Sequence, residues 1–150
     1  WMNNKIIIIN GPNLNLLGER EQSQYGSNTY DQLKVNCSKK AQEIGLDVEF
    51  AQSNVEGELV NIIQDARKKF DGMIINAAAF THTSVAIRDA LDLFKKPIIE
   101  LHLSNIYKRE EFRHKSLISG VVTGGIFGLG AEGYILAIIS LQKTLQNENR

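Results

Sequence analysis

Four consecutive isoleucines, Ile6 to Ile9, constrain the fold of this chain more than any other feature. The run is too short and too β-branched for a helix, and it shows no polar alternation, so it reads as a strand buried on both faces. Such strands belong to parallel sheets covered by helices on either side, and parallel neighbours need crossover connections. The rest of the chain supplies them. Thr29-Tyr30-Asp31-Gln32 offers a capping box ahead of Leu33, Val35, Ala41 and Ile44, and Gly45 stops that helix. Asp47 to Gln52 alternates Val48 and Phe50 with polar side chains, as a strand near a sheet edge does, and Leu59, Ile62, Ile63 and Ala66 then recur at helical spacing. Three further beats follow: Gly72 to Asn76 with Ser84 to Phe94, Pro97 to His102 with a charged segment, and Gly120 to Thr123 with Glu132 to Leu145. Five strands alternating with helices predict an α/β three-layer sandwich around a five-stranded parallel sheet with right-handed crossovers.

No linker, low-complexity block or short repeat interrupts this beat, so residues 1–150 are expected to form one domain with a polar, frayed tail over 146–150. A chain of 150 residues buries roughly 68–70% of the surface its unfolded form exposes, enough for a core without staples. Lys and Arg total 17 against 17 Asp and Glu. That balance removes the long-range field on which nonspecific nucleic-acid or anionic-membrane binding depends. Cys37 stands alone, which excludes an intramolecular disulfide and a cysteine-based zinc site and points to a reducing, cytoplasmic setting. No apolar run approaches the ~20 residues of a membrane span, and no signal-peptide pattern is present. Trp1 precedes Met2 and is set aside as extraneous to the native chain.

In an open parallel sheet the ligand crevice lies beyond the carboxyl ends of the strands, where strand order reverses. The residues that follow the predicted strands are Asn10 to Asn13, Asn76 to His82, and Glu100 to Asn105. Glu100 lies two residues before His102 and so on the same strand face. A carboxylate beside an imidazole fixes its tautomer and favours its protonated form, which suits a general acid; a satisfied strand-end histidine is the competing reading. His82 carries the same choice, with a neutral donor to a substrate hydroxyl as its functional reading. The loop from Gly18 to Gly26 is long for a strand-to-helix connection and reads as a lid. It holds Arg20 and Tyr25, and a guanidinium near a phenol stabilises phenolate, bringing a poor base into range. The charge run from Lys108 to Lys115 reads first as a solvated face, although an arginine near the crevice would clamp an anion in a planar fork.

Gly124 to Gly130 invites a phosphate-loop reading, but no Lys-Ser/Thr follows it and it does not follow the first strand, so tight turning and close packing fit these glycines better. A phospho-acceptor regulatory domain is also disfavoured, because Asn10 and Asn76 stand where that chemistry needs aspartates.

Gly11-Pro12-Asn13-Leu14-Asn15-Leu16-Leu17-Gly18 with Arg20 and Tyr25-Gly26, Ile75-Asn76 with Thr81-His82-Thr83-Ser84, Glu100 to Asn105, and Phe112 to Ser116 together resemble type II 3-dehydroquinate dehydratase over nearly the whole chain. The resemblance implies a flavodoxin-like fold and a lyase that removes water from 3-dehydroquinate without metal or cofactor, giving 3-dehydroshikimate for aromatic amino acid biosynthesis. It implies Tyr25 as the base, Arg20 as the residue lowering its pKa, and Asn13 as holder of the water that stabilises an enolate. It further implies His102 as the acid oriented by Glu100, and Asn76, His82, Ser104 with the backbone at Leu103, and Arg113 as substrate binders. Asp89 would reach in from a neighbouring subunit, since the family assembles as trimers packed into a dodecamer; an intrahelical charge beside Arg88 is the plainer alternative. One departure stands in the lid, where the family commonly has proline after the glutamate and this chain has Gln22. Loss of a proline there predicts a less restricted loop and weaker closure. The rival from another class is a flavodoxin-like module that holds a small acid or a phosphate at Gly124 to Gly130 without turnover; an inactive assembly subunit is the third reading.

Overall fold

The computed structural model describes residues 2–19 and 28–148. Five strands, β1 (Asn4–Asn10), β2 (Leu46–Gln52), β3 (Gly72–Asn76), β4 (Ile98–His102) and β5 (Gly124–Phe127), form one sheet in the order β2-β1-β3-β4-β5. Every adjacent pair is parallel. Four α-helices cover it: α1 (Tyr30–Glu43), α2 (Glu56–Lys69), α3 (Val85–Asp92) and α4 (Glu132–Glu148). This is the flavodoxin-like strand order, and its reversal falls between β1 and β3.

The isoleucine run explains the layering. Ile6 and Ile8 face α1 and α4 with Ile74 and Leu101, packing against Leu33, Cys37, Tyr134 and Ile138. Ile7 and Ile9 face α2 and α3 with Met73 and Ile75, against Leu59, Ile63, Ile87 and Leu91. All four isoleucines are at most 6% exposed. Each contributes about 1.5–3 kcal/mol of burial, so polar residues are excluded from either face.

Local signals place the helix ends. Thr29 Oγ1 accepts the Gln32 N–H at 3.1 Å at the start of α1, while the Gln32 side chain turns to Asn36 instead of completing the box. Gly45 takes φ +79 after α1, a left-handed value open to glycine. Ser84 Oγ accepts the Ile87 N–H at 2.9 Å and caps α3.

Two sequence expectations are corrected. The strand expected over 120–123 forms instead at Gly124–Phe127, and Ser119–Val121 is a 3-10 turn. Val121 and Val122 pack onto the α2/α3 core from this loop, so their β-branched character serves packing and not a ladder. Thr123 then brings the chain to β4, its Oγ1 accepting the Ile98 N–H at 3.0 Å. The last helix runs through Glu148, with Leu141 and Leu145 in the core. The charged segment after β4 folds as short 3-10 turns at Ile106–Lys108 and Glu111–Arg113, not as a helix.

Candidate active site

The ends of β1, β3 and β4 open into one cleft, as the strand order requires. From the β1 side come Pro12, Asn13 and Leu14; from the β3 side Asn76, Ala78, Ala79 and His82; from the β4 side His102, Leu103, Ser104, Ile106, Arg109 and Arg113. Asn13, Asn76, His82, His102, Leu103, Ser104 and Arg113, each named from the sequence, are thus brought together.

Asn13 sits at φ 72, a left-handed conformation that asparagine tolerates better than most residues. The Asn54 Oδ1 accepts its N–H at 2.9 Å, and Gln52 Nε2 donates both to Asn54 Oδ1 and to the Gly11 carbonyl. Gly11 permits the approach of this loop to the β3 end: a Cβ there would lie 2.5 Å from the Ala77 carbonyl oxygen. Asn76 is 4% exposed, and its Oδ1 accepts the Ala78 N–H while its Nδ2 donates to Tyr134.

His102 and Glu100 form a buried pair, Nε2 to Oε2 at 2.6 Å, with side chains 9% and 6% exposed. Glu100 also accepts from Ser116 Oγ at 3.1 Å and Ser119 Oγ at 2.5 Å. Burial alone would raise its carboxyl, but the hydrogen bonds from His102, Ser119 and Ser116 prevail and hold it below the usual carboxylate value. With Nε2 committed to a carboxylate, Nδ1 is the His102 nitrogen left for proton exchange with a ligand. His82 stacks near it, ring centroids 6.3 Å apart. Burial pushes the His82 pKa down, which keeps the ring neutral, and its Nδ1–H must be the donor to the Lys115 carbonyl at 2.8 Å. In that tautomer of the neutral ring the bare Nε2 is an acceptor, so a ligand hydroxyl would donate to it, where the sequence reading had the ring as donor.

The cationic wall is double. Arg113 Nε donates to Glu110 at 3.0 Å, and Arg109 Nη1 donates to Ser104 Oγ at 3.3 Å. Arg109 was not singled out from sequence; its signal was the charge run that contains it. Ser116 and Ser119 were also missed as partners of Glu100, because 16 and 19 residues separate them from it and nothing local marks the contact.

Asp89 lies exposed on α3 and does not line the cleft of the single chain. Tyr25, Arg20 and Gln22 lie outside the described residues. Gly124 to Phe127 belongs to β5, so this segment forms no phosphate-binding loop; Gly125 is crowded instead, its Cβ position 3.4 Å from the Glu100 carbonyl oxygen. Among the described residues, no group of three or more His, Cys, Asp or Glu side chains is gathered for a metal, and no helix is long and apolar enough to cross a membrane.

The comparisons with known proteins agree on one family. The family model for dehydroquinase class II matches residues 4–142. The 3-dehydroquinate dehydratase 2 of Pseudomonas putida is 50% identical over 141 residues, 94% of this chain and 95% of that protein. The 3-dehydroquinate dehydratase of Caldicellulosiruptor bescii is 51% identical over 142 residues, 94% of this chain and 98% of that one. The crystal structure of type II dehydroquinase from Butyrivibrio crossotus superposes with a TM-score of 0.91 at 45% identity, covering 93% of this chain and 97% of that chain. Matched along most of its length in both sequence and fold, the chain belongs to the class II dehydroquinase family.

Proposed function

We propose that this protein eliminates water from 3-dehydroquinate to give 3-dehydroshikimate, the step its relatives are named for. The observation that carries the reading is the buried His102–Glu100 pair at the cleft, 2.6 Å apart, beside a neutral His82 and two arginines. Elimination next to a ketone needs a base for the α-proton, a place for oxyanion charge and an acid for the departing hydroxyl. Tyr25, with its pKa lowered by Arg20, takes the proton from the carbon alpha to the ketone, and the electron pair moves onto the oxygen as an enolate. Asn13 holds the water that stabilises that oxygen. The enolate collapses to the carbon–carbon double bond as the hydroxyl leaves with a proton from His102 Nδ1, and Glu100 holds the imidazole in place. Tyr25 ends protonated and His102 neutral, so both reset by exchange with solvent.

Asn76, His82, the Leu103 backbone, Ser104 and Arg113 bind the ring hydroxyls and carboxylate, with Arg113 on a hydroxyl and Ser104 on the carboxylate. No metal or cofactor takes part. Asp89 completes the site from a neighbouring subunit of a trimer, and trimers pack into a dodecamer working in the cytoplasm on the shikimate route to aromatic amino acids.

The test is an ultraviolet assay for the conjugated enone, with 3-dehydroquinate, purified protein and chelator. Enone formation by the wild type is expected; a folded, oligomeric protein that produces none overturns the reading. Light scattering reports the dodecamer in the same sample.

A further inference from the structure

Tyr134, near the start of α4, is fully buried, with 0% exposure. Its hydroxyl donates to Asn10 Oδ1 at 2.5 Å and accepts from Asn76 Nδ2 at 3.1 Å. Asn10 and Asn76 are register partners at the ends of β1 and β3, the two strands that flank the reversal in sheet order. A phenylalanine would fill the same apolar space between Leu33, Ile74 and Leu101 without a hydroxyl to satisfy, so core packing alone does not account for the tyrosine. Burial also keeps the phenol protonated far above its ordinary range, so it remains a donor to Asn10 and an acceptor for Asn76.

The capacity of Asn76 narrows what this contact does. A carboxamide offers two N–H donors and one oxygen acceptor in a plane. Its oxygen is held by the Ala78 N–H at 3.1 Å, and one N–H is held by Tyr134. Ala78 itself sits at φ 53, strained for a residue with a Cβ, so the turn that Asn76 closes is not relaxed. With the oxygen and one hydrogen anchored, the direction of the second N–H is set, and Asn76 lines the cleft. We infer that Tyr134 is a positioning residue: its hydroxyl locks the Asn76 carboxamide so that the remaining N–H is presented to an oxygen acceptor of the substrate. This inference rests on the dehydration reading for the identity of that substrate.

The test is a kinetic double-mutant cycle on the intact oligomer, with Tyr134→Phe and Asn76→Ala measured alone and together in the enone assay. Loss of one hydrogen bond that orients a binding group predicts that Tyr134→Phe raises KM about threefold to tenfold with kcat little changed. In the Asn76→Ala background the same substitution is expected to change KM by less than about twofold. An equal effect in both backgrounds makes Tyr134 a packing element only, and an unchanged KM in the single variant overturns the inference outright. Should Tyr134→Phe fail to fold, 3,5-difluorotyrosine at position 134 keeps the ring while weakening its oxygen as an acceptor. KM is then expected to rise in the same direction, and no rise overturns the inference. Failure of the dehydration reading is separate and visible first, as absence of enone with the wild type; the cycle is then read on the dissociation constant for 3-dehydroquinate, with the same expected coupling.

Discussion

His102 Nε2 meets Glu100 Oε2 at 2.6 Å in a setting where both side chains are nearly enclosed, and two serine hydroxyls converge on the same carboxylate. Three donors on one carboxylate keep it ionised against its own burial. With Nε2–H on this carboxylate, donation from the opposite nitrogen needs the ring in its imidazolium form, which an anionic partner favours.

Glu100→Gln keeps the shape of this partner and removes its charge. A fall in kcat of about a hundredfold is expected, with a smaller change in KM, because in the proposed mechanism the loss falls on proton transfer to the leaving group. Steady-state kinetics with the enone readout checks it, and a KM effect without a kcat effect contradicts the assignment.

Ser119→Ala addresses the acid side of the same group. Glu100 is depressed below 4.5 in the folded state, so its contribution to stability is fully present above the unfolded value and is lost as pH falls through the folded one. Removing a hydroxyl donor raises the folded value. The variant is expected to unfold at a higher pH than the wild type on acidification, followed by circular dichroism; coincident acid transitions count against the role of Ser119.

His82 is shifted in the same direction from a different cause. Its ring is held below 6.5 by burial, with the nearby His102 and Arg113 adding to the effect. The ring proton signal in an NMR titration is expected to have its midpoint under 6.5, and Arg113→Gln to move that midpoint upward. A folded value below the unfolded one means that stability from this residue is present above 6.5 and declines as pH falls below it, since the unfolded chain takes up the proton first.

Gly11→Ala tests the joint between β1 and β3. The added Cβ would meet the Ala77 carbonyl oxygen at 2.5 Å, and backbone cannot swing aside as a side chain can. A loss of about 1–3 kcal/mol is expected in urea unfolding, with KM raised because Asn13 and Asn76 flank the joint. Stability equal to wild type would mean that the two loops move apart freely.

Tyr25→Phe removes the hydroxyl of the proposed base and leaves its ring. Activity is expected to drop by about 10²–10⁴-fold, with circular dichroism and oligomer size unchanged. Full activity in this variant removes the mechanism.

Much of the site was legible because parallel α/β folds put function at strand ends, so periodicity alone indicated where to look. Asn76 follows Ile75, and Glu100 and His102 share a face, as a period of two dictates. Arg109 was harder to choose, since a charge run looks alike whether it faces solvent or a cleft. β5 was misplaced by four residues because β-branched Val121 and Val122 carry the strand signal, while the true strand starts with two glycines. Those glycines are explained by the neighbour: Gly125 has the Glu100 backbone where a side chain would go.

By itself, the sequence determined the order of elements, the parallel sheet and the pairing of Glu100 with His102, because each depends on local periodicity and near neighbours. Only the tertiary structure decided which groups meet across long stretches of chain: Tyr134 on Asn76 over 58 residues, Asn54 on Asn13 over 41, and Ser119 on Glu100 over 19. Contacts of that range follow from how helices and loops settle on the sheet, and no local pattern encodes the distance between two chain segments that packing brings together.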